Sequence, residues 1–181
     1  WRLDRSVGDF HQPHALTAYA VYAIPFLARN PFLGGWRVAA TSTYRTGLPF
    51  SVLANSNNPN GTMNNRILDI PGTLLREASG SQRFRLAPGV RPEHLQPAPG
   101  SVGTLGRNTE TSPSHLETSV SLTRNFQVGE KLVLEFRGEG FNILNRVNYN
   151  TPVNNLGNVL FGRTLTANDP RQFQGVLRLV F

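Results

Sequence analysis

The chain has 181 residues, 39% of them hydrophobic, no cysteine and a formal charge of +7. The lack of cysteine excludes a disulfide framework and a cysteine–zinc site, and no stretch approaches the roughly 20 apolar residues that a membrane-spanning helix needs. The positive charge directs attention to anionic partners, but Lys131 is the only lysine and the arginines lie at wide intervals, so nucleic acid is not an expected partner.

Gly, Pro, Asn and Thr are plentiful, which favours strands and long loops over helices. The most apolar run, 15–28, is short and broken by Pro25. Trp1 to Pro13 is charged and aperiodic and reads as loop. It has no apolar segment of the kind that opens a signal peptide, and a start on Trp suggests a piece of a longer chain. His11 and His14 lie near Asp9, but no third ligand stands at a useful spacing, so no metal site is expected.

A first strand is expected over about 14–25. Leu16, Ala18, Ala20, Tyr22 and Ile24 alternate with Ala15, Thr17, Tyr19, Val21 and Ala23, and both sets are fairly apolar. Pro25 to Gly35 is a turn segment ending in Gly34-Gly35. The clearest strand covers about 36–52. Trp36, Val38, Ala40, Ser42 and Tyr44 alternate with Arg37, Ala39, Thr41, Thr43 and Arg45, so one face is apolar with an aromatic near each end and the other is polar and positive. A polar interval, 54–113, follows. It is dense in turn residues at Asn57-Asn58-Pro59-Asn60-Gly61, with Ile67-Leu68 and Leu74-Leu75 as short apolar pieces expected to fold back on a rim. Asn60-Gly61-Thr62 matches a glycosylation sequon, inert in a bacterial protein.

The third strand, about 115–126, sets Leu116, Thr118, Val120 and Leu122 against Glu117, Ser119, Ser121 and Thr123. A tight turn at Gln127–Glu130 leads to the fourth, about 131–145, with Leu132, Leu134, Phe136, Gly138 and Gly140 opposite Glu135, Arg137 and Glu139. Glu117 is expected across from Glu135 and Glu139. With Arg137 between them, these carboxylates read as an ion-pair network rather than an acid–base pair. Ser112, Ser114 and His115 have no acid or oxyanion element around them, so no hydrolase, and no catalysis at all, is expected. A second loop, 146–171, precedes a last strand at 172–181, where Phe173, Gly175, Leu177, Leu179 and Phe181 alternate with residues including Gln174 and Arg178.

Turns at one end are short and loops at the other are long, and the strands carry one greasy and one polar face. This is the build of an outer-membrane barrel. The expected fold is therefore all-β: an antiparallel up-and-down meander of about five transmembrane strands, with lipid outside and water inside. Arg37, Arg45, Glu117, Glu135, Arg137, Glu139 and Arg178 are the expected lumen-facing residues. Trp36, Tyr44, Phe126, Phe173 and Phe181, at strand ends, are the expected aromatic girdles rather than a sugar-stacking platform. The competing expectation is a soluble β-sandwich binding glycans or another polymer, which would bury Val38, Val120 and Leu134 under a second sheet.

Particular strings add a family. Gly34-Gly35-Trp36-Arg37 through Thr46-Gly47-Leu48-Pro49-Phe50, then Leu105-Gly106-Arg107-Asn108, then Leu134-Glu135-Phe136-Arg137-Gly138-Glu139-Gly140-Phe141-Asn142-Ile143-Leu144-Asn145 resemble segments of TonB-dependent receptors of the Oar-like group. Those receptors carry a carboxypeptidase-regulatory-like domain ahead of plug and barrel. Phe161-Gly162-Arg163 and Asp169-Pro170-Arg171-Gln172 are similar to that group's approach to its terminal strand. Val176 stands where the general insertion signal often has Gly, and neither an energy-coupling box nor a plug is within 1–181. The resemblance implies that 1–181 is the C-terminal part of a roughly 22-stranded barrel. It further implies a Gram-negative outer-membrane location and no cofactor. The implied partners are outer-membrane lipid, the receptor's own plug and upstream strands, the TonB complex and a transported ligand of unspecified identity.

Overall fold

The computed structural model describes residues 5–25, 34–54, 65–77 and 80–181. The Asn60-Gly61-Thr62 sequon and most of the Pro25–Gly35 turn lie outside them. The chain divides into two units.

One unit, 14–45, 115–148 and 169–181, is a five-stranded sheet ordered β1-β2-β7-β8-β9. Its strands are β1 (Ala15–Ala23), β2 (Arg37–Arg45), β7 (His115–Gln127), β8 (Val133–Phe141) and β9 (Gln172–Val180). Val, Thr, Tyr and Phe recur along them, residues that suit a pleated surface. Every neighbouring pair is antiparallel. β1 and β2 are joined by a short connection that Ile24 N–H and Trp36 O begin to close at 2.9 Å, and β7 and β8 by a turn in which Val128 N–H donates to Leu132 O at 2.9 Å. Four of the five strands are nine residues long, and tilted strands of about 9–11 residues span a bilayer.

The second strand ends at Arg45, short of the expected 52. Thr46 and Gly47 run beside Ser112, so close that a Cβ on Gly47 would stand 1.7 Å from the Ser112 carbonyl oxygen. Only glycine permits that approach. Pro49–Phe50 (β3) then pairs with Glu110–Thr111 (β6), in a separate small sheet.

The other unit, 1–13, 46–114 and 149–168, holds β3 and β6, the hairpin β4 (Leu74–Arg76) and β5 (Phe84–Leu86), and a 3-10 turn at Pro92–Leu95. The intervals expected to be plain loops thus have their own architecture. Phe50, Val52, Ala54, Ile67, Phe84, Leu95, Leu105 and Leu156 form a buried cluster, each large side chain contributing about 1.5–3 kcal/mol of burial. Ile67 belongs to this cluster and Leu74 packs against it, so the short apolar pieces make a core of their own. Leu53 bridges both Arg66 and Asn155, drawing the two long intervals together.

The sheet contributes none of that core. Leu16, Phe173, Leu177 and Leu179 are 65%, 68%, 68% and 54% exposed, and Val38, Val120 and Leu134 are only half-buried. No second sheet covers the apolar face among the described residues, which is the opposite of a sandwich.

Candidate functional surface

Residues opposite one another in an antiparallel pair share a face, so the register fixes both surfaces of the sheet. Arg37 stands opposite Thr123, Thr123 opposite Arg137, and Arg137 opposite Val176. Arg45 pairs with His115, Glu117 with Thr43, Glu135 with Arg178 and Glu139 with Gln174. All seven residues expected to face a lumen therefore lie on one face. β1 gives that face Ala15, Thr17, Tyr19, Val21 and Ala23, and turns Leu16, Ala18, Ala20 and Tyr22 to the other.

Charges on the polar face answer one another. Arg137 Nε donates to Glu139 Oε1 at 2.7 Å, and Gln174 Nε2 donates to the other Glu139 oxygen. Glu135 and Arg178 are direct cross-strand partners. Glu135, Arg137, Glu139, Val176 and Arg178 line an open cavity of about 270 Å³. Glu117 is not across from Glu135 and Glu139. Register places Asn125 opposite Glu135 and Ser121 opposite Glu139, while Glu117 sits near the far end of β7, 3.5 Å from His115 Nε2.

The apolar face carries the aromatics. Tyr44 and Phe173 lie near the strand ends that lead into the other unit. Trp36 and Phe126 lie near the ends closed by short turns, and Phe181 follows the last paired residue there. Trp36 meets Phe126 and Phe136 edge-on, centroids 6.2 and 5.6 Å apart. The alternation noted in the sequence stops at Leu122, and so misses Arg124 on this face. Its guanidinium is buried over the Phe126 ring at 4.1 Å and the Trp36 ring at 5.4 Å. An arginine tolerates such a place because aromatic faces attract it and its stem is apolar.

The family-like strings prove to be backbone clips. Asn108, at φ 53°, donates from Nδ2 to Val7 O and Asp9 Oδ1 and from N–H to Ser51 Oγ. Arg107 adds a 2.9 Å ion pair to Asp9. The Asn108 hydrogen bond first, and then Arg107, hold the Asp9 carboxyl below its ordinary pKa. Asp9 is thus committed to Asn108 and Arg107. Asn142, at φ 46°, ties Arg146 and Asp169 through its side-chain amide. Asn148 imitates a strand by bonding both Leu116 N–H and Leu116 O at 2.9 Å.

In the other unit, buried Glu110 accepts a two-pronged bond from Arg76, one arm 2.8 Å long. That hydrogen bond raises the Arg76 pKa. No periodic signal marks this pair, since its partners are 34 residues apart.

An open sheet with one bare apolar face, one charged face and aromatics at its strand ends is the surface of a barrel wall. A family model described as "Outer membrane beta barrel domain" matches residues 1–174. The chain belongs to this family. No curated protein and no solved structure gives a significant match. As an outer-membrane β-barrel domain the protein resides in the bacterial outer membrane, in contact with its lipid. The alternative of a soluble sandwich falls on both the match and the uncovered face.

Proposed function

We propose that this domain is the C-terminal wall of a TonB-dependent transporter of the Oar-like group, non-catalytic, admitting a ligand past a plug inside a barrel of roughly 22 strands. The observation that carries this reading is the open sheet: β1 and β9 stand at its two edges and are not paired to each other. An edge bare of partners is untenable in hydrocarbon, where each unsatisfied backbone group costs several kcal/mol. Further strands must therefore complete the wall, and the ordered series of Oar-like strings supports a large plugged barrel over a small one.

In this reading Arg37, Arg45, Glu117, Glu135, Arg137, Glu139 and Arg178 line the lumen, where water and plug groups satisfy them. Trp36, Tyr44, Phe126, Phe173 and Phe181 sit at the two lipid interfaces. All five passages between sheet and second unit occur at the same strand ends (13/14, 45/46, 114/115, 148/149 and 168/169), and in this reading the long connections at those ends face outward while the short-turn end is periplasmic.

The test is cross-linking of the full-length protein to TonB in cells, together with the coding sequence upstream of Trp1. A TonB adduct and a plug followed by about seventeen further strands are expected. A short upstream region completing a small, plugless barrel, with no adduct, would refute the transporter.

A further inference from the structure

The unit of 1–13, 46–114 and 149–168 contains a cleft of its own. Its free volume is about 550 Å³, within the ~300–1,000 Å³ of small-ligand sites. Part of its lining is hydrocarbon: Leu156, 2% exposed and part of the core, with Leu86 and Phe161 packed against that core. The lining also carries two cations, Arg85 and Arg163, and no carboxylate.

The two arginines are not equivalent. Arg85 Nε is held by Glu77 Oε1 at 2.6 Å. Arg163 is exposed, and among the described residues no carboxylate pairs with it. Its place is nonetheless fixed by the backbone. Arg163 bridges Gln82, its N–H donates to Leu160 O, and its carbonyl accepts from Val153 N–H. The preceding Gly162, at φ 76°, lies so near Phe84 that a Cβ would come within 2.1 Å of the Phe84 carbonyl oxygen. Gln82 donates its side-chain amide to Phe161 O at 3.2 Å and to Phe84 O, locking the floor. On the rim, Val159 is 97% exposed, an apolar side chain without a protein surface to cover it.

We propose that this cleft binds a small amphiphilic organic anion, its acid group on the Arg163 guanidinium and its hydrocarbon on Leu86, Leu156 and Phe161. A guanidinium fork matches a carboxylate or sulfonate with two parallel hydrogen bonds, and the apolar wall favours a flat or branched hydrocarbon over a bare inorganic ion. A role in capture from outside the cell rests on the transporter reading; the binding chemistry does not.

The probe is 2-naphthoate, with the neutral 2-naphthylmethanol as its uncharged counterpart. Binding is followed by saturation-transfer NMR and calorimetry to the full-length protein in lipid nanodiscs, with empty nanodiscs subtracted. The expected result is saturable naphthoate binding that weakens about tenfold or more in Arg163→Gln, the effect of losing a charge-assisted hydrogen bond. Val159→Glu, an acid placed on a fully exposed rim position, should also weaken it without touching the core. Lys131→Gln, a charge loss in the short turn between β7 and β8, should leave it unchanged. Absence of saturable binding, equal affinity for the neutral probe, or insensitivity to both cleft variants overturns the proposal. Arg163-dependent binding in a protein that forms no TonB adduct keeps the cleft and removes the transporter.

Discussion

The two units of this chain use apolar side chains in opposite ways. In the cored unit, 1–13, 46–114 and 149–168, Val52, Ile67 and Leu95 have almost no exposed surface and hold the fold from within. In the sheet, Leu16, Leu177 and Leu179 stand more than half bare, and nothing of the sheet belongs to the core. One unit obeys the rule for a protein in water, the other the rule for a wall between lipid and water. The lesson is that hydrophobic content alone would misjudge both: the cored unit resembles loop by composition, and the wall lacks a core by design.

This contrast can be broken first in the cored unit. Ile67→Ala should cost it about 2–5 kcal/mol, the usual price of a cavity in a tight core. Limited proteolysis of the full-length protein in lipid should then cut within 46–114 while β7 and β8 stay protected. Simultaneous loss of both units would show that they do not stand independently.

The wall gives the next largest effect. Val120→Arg places a charge on the apolar face and should cost about 2–4 kcal/mol in a bilayer, whereas Ser121→Arg, one residue along and on the opposite face, should be far milder. Urea unfolding in lipid vesicles measures both, and equal costs would erase the distinction between the faces.

A smaller effect sharpens the polar side of the cored unit. Arg76→Ala strands Glu110, whose side chain is 5% exposed, and should destabilise the cored unit by about 1–3 kcal/mol. Arg76→Ala/Glu110→Gln should recover part of that loss in the same proteolysis assay. Smallest is the pH response of the Asp9 clip. Its folded pKa is depressed, so its contribution is fully present above the ordinary carboxylate range and fades as pH falls through the depressed value. Hydrogen-exchange protection at Asn108 should weaken only in acid, and Asp9→Asn should abolish that dependence.

The wall was legible in the sequence because alternation is local. Val38 and Arg37 announce their faces by position alone, and register then carries the pattern from strand to strand. Glu117 was misplaced for the same reason: alternation gives a face, but only register gives a neighbour. Arg124 escaped because a charge ends an apolar pattern unless the Trp36 and Phe126 rings that shelter it are known. The cored unit was unreadable, since Leu53, Arg66 and Asn155 meet across more than a hundred residues, and no periodicity encodes such a meeting. The strings around Asn108 and Asn142 were visible as a family resemblance. Their physical meaning, asparagines at positive φ tying segments together, required the backbone.

The central claim is that lipid touches one face of these strands and water the other. A nitroxide carried in turn on single cysteines from 116 to 123, with any cysteine outside 1–181 replaced, tests it in the full-length protein in bilayers, since 1–181 has none. Collision with oxygen should peak at Leu116, Thr118, Val120 and Leu122, and collision with a water-soluble nickel chelate at Glu117, Ser119, Ser121 and Thr123. Uniformly low access to both reagents, or the same pattern with its phase reversed, would contradict the account.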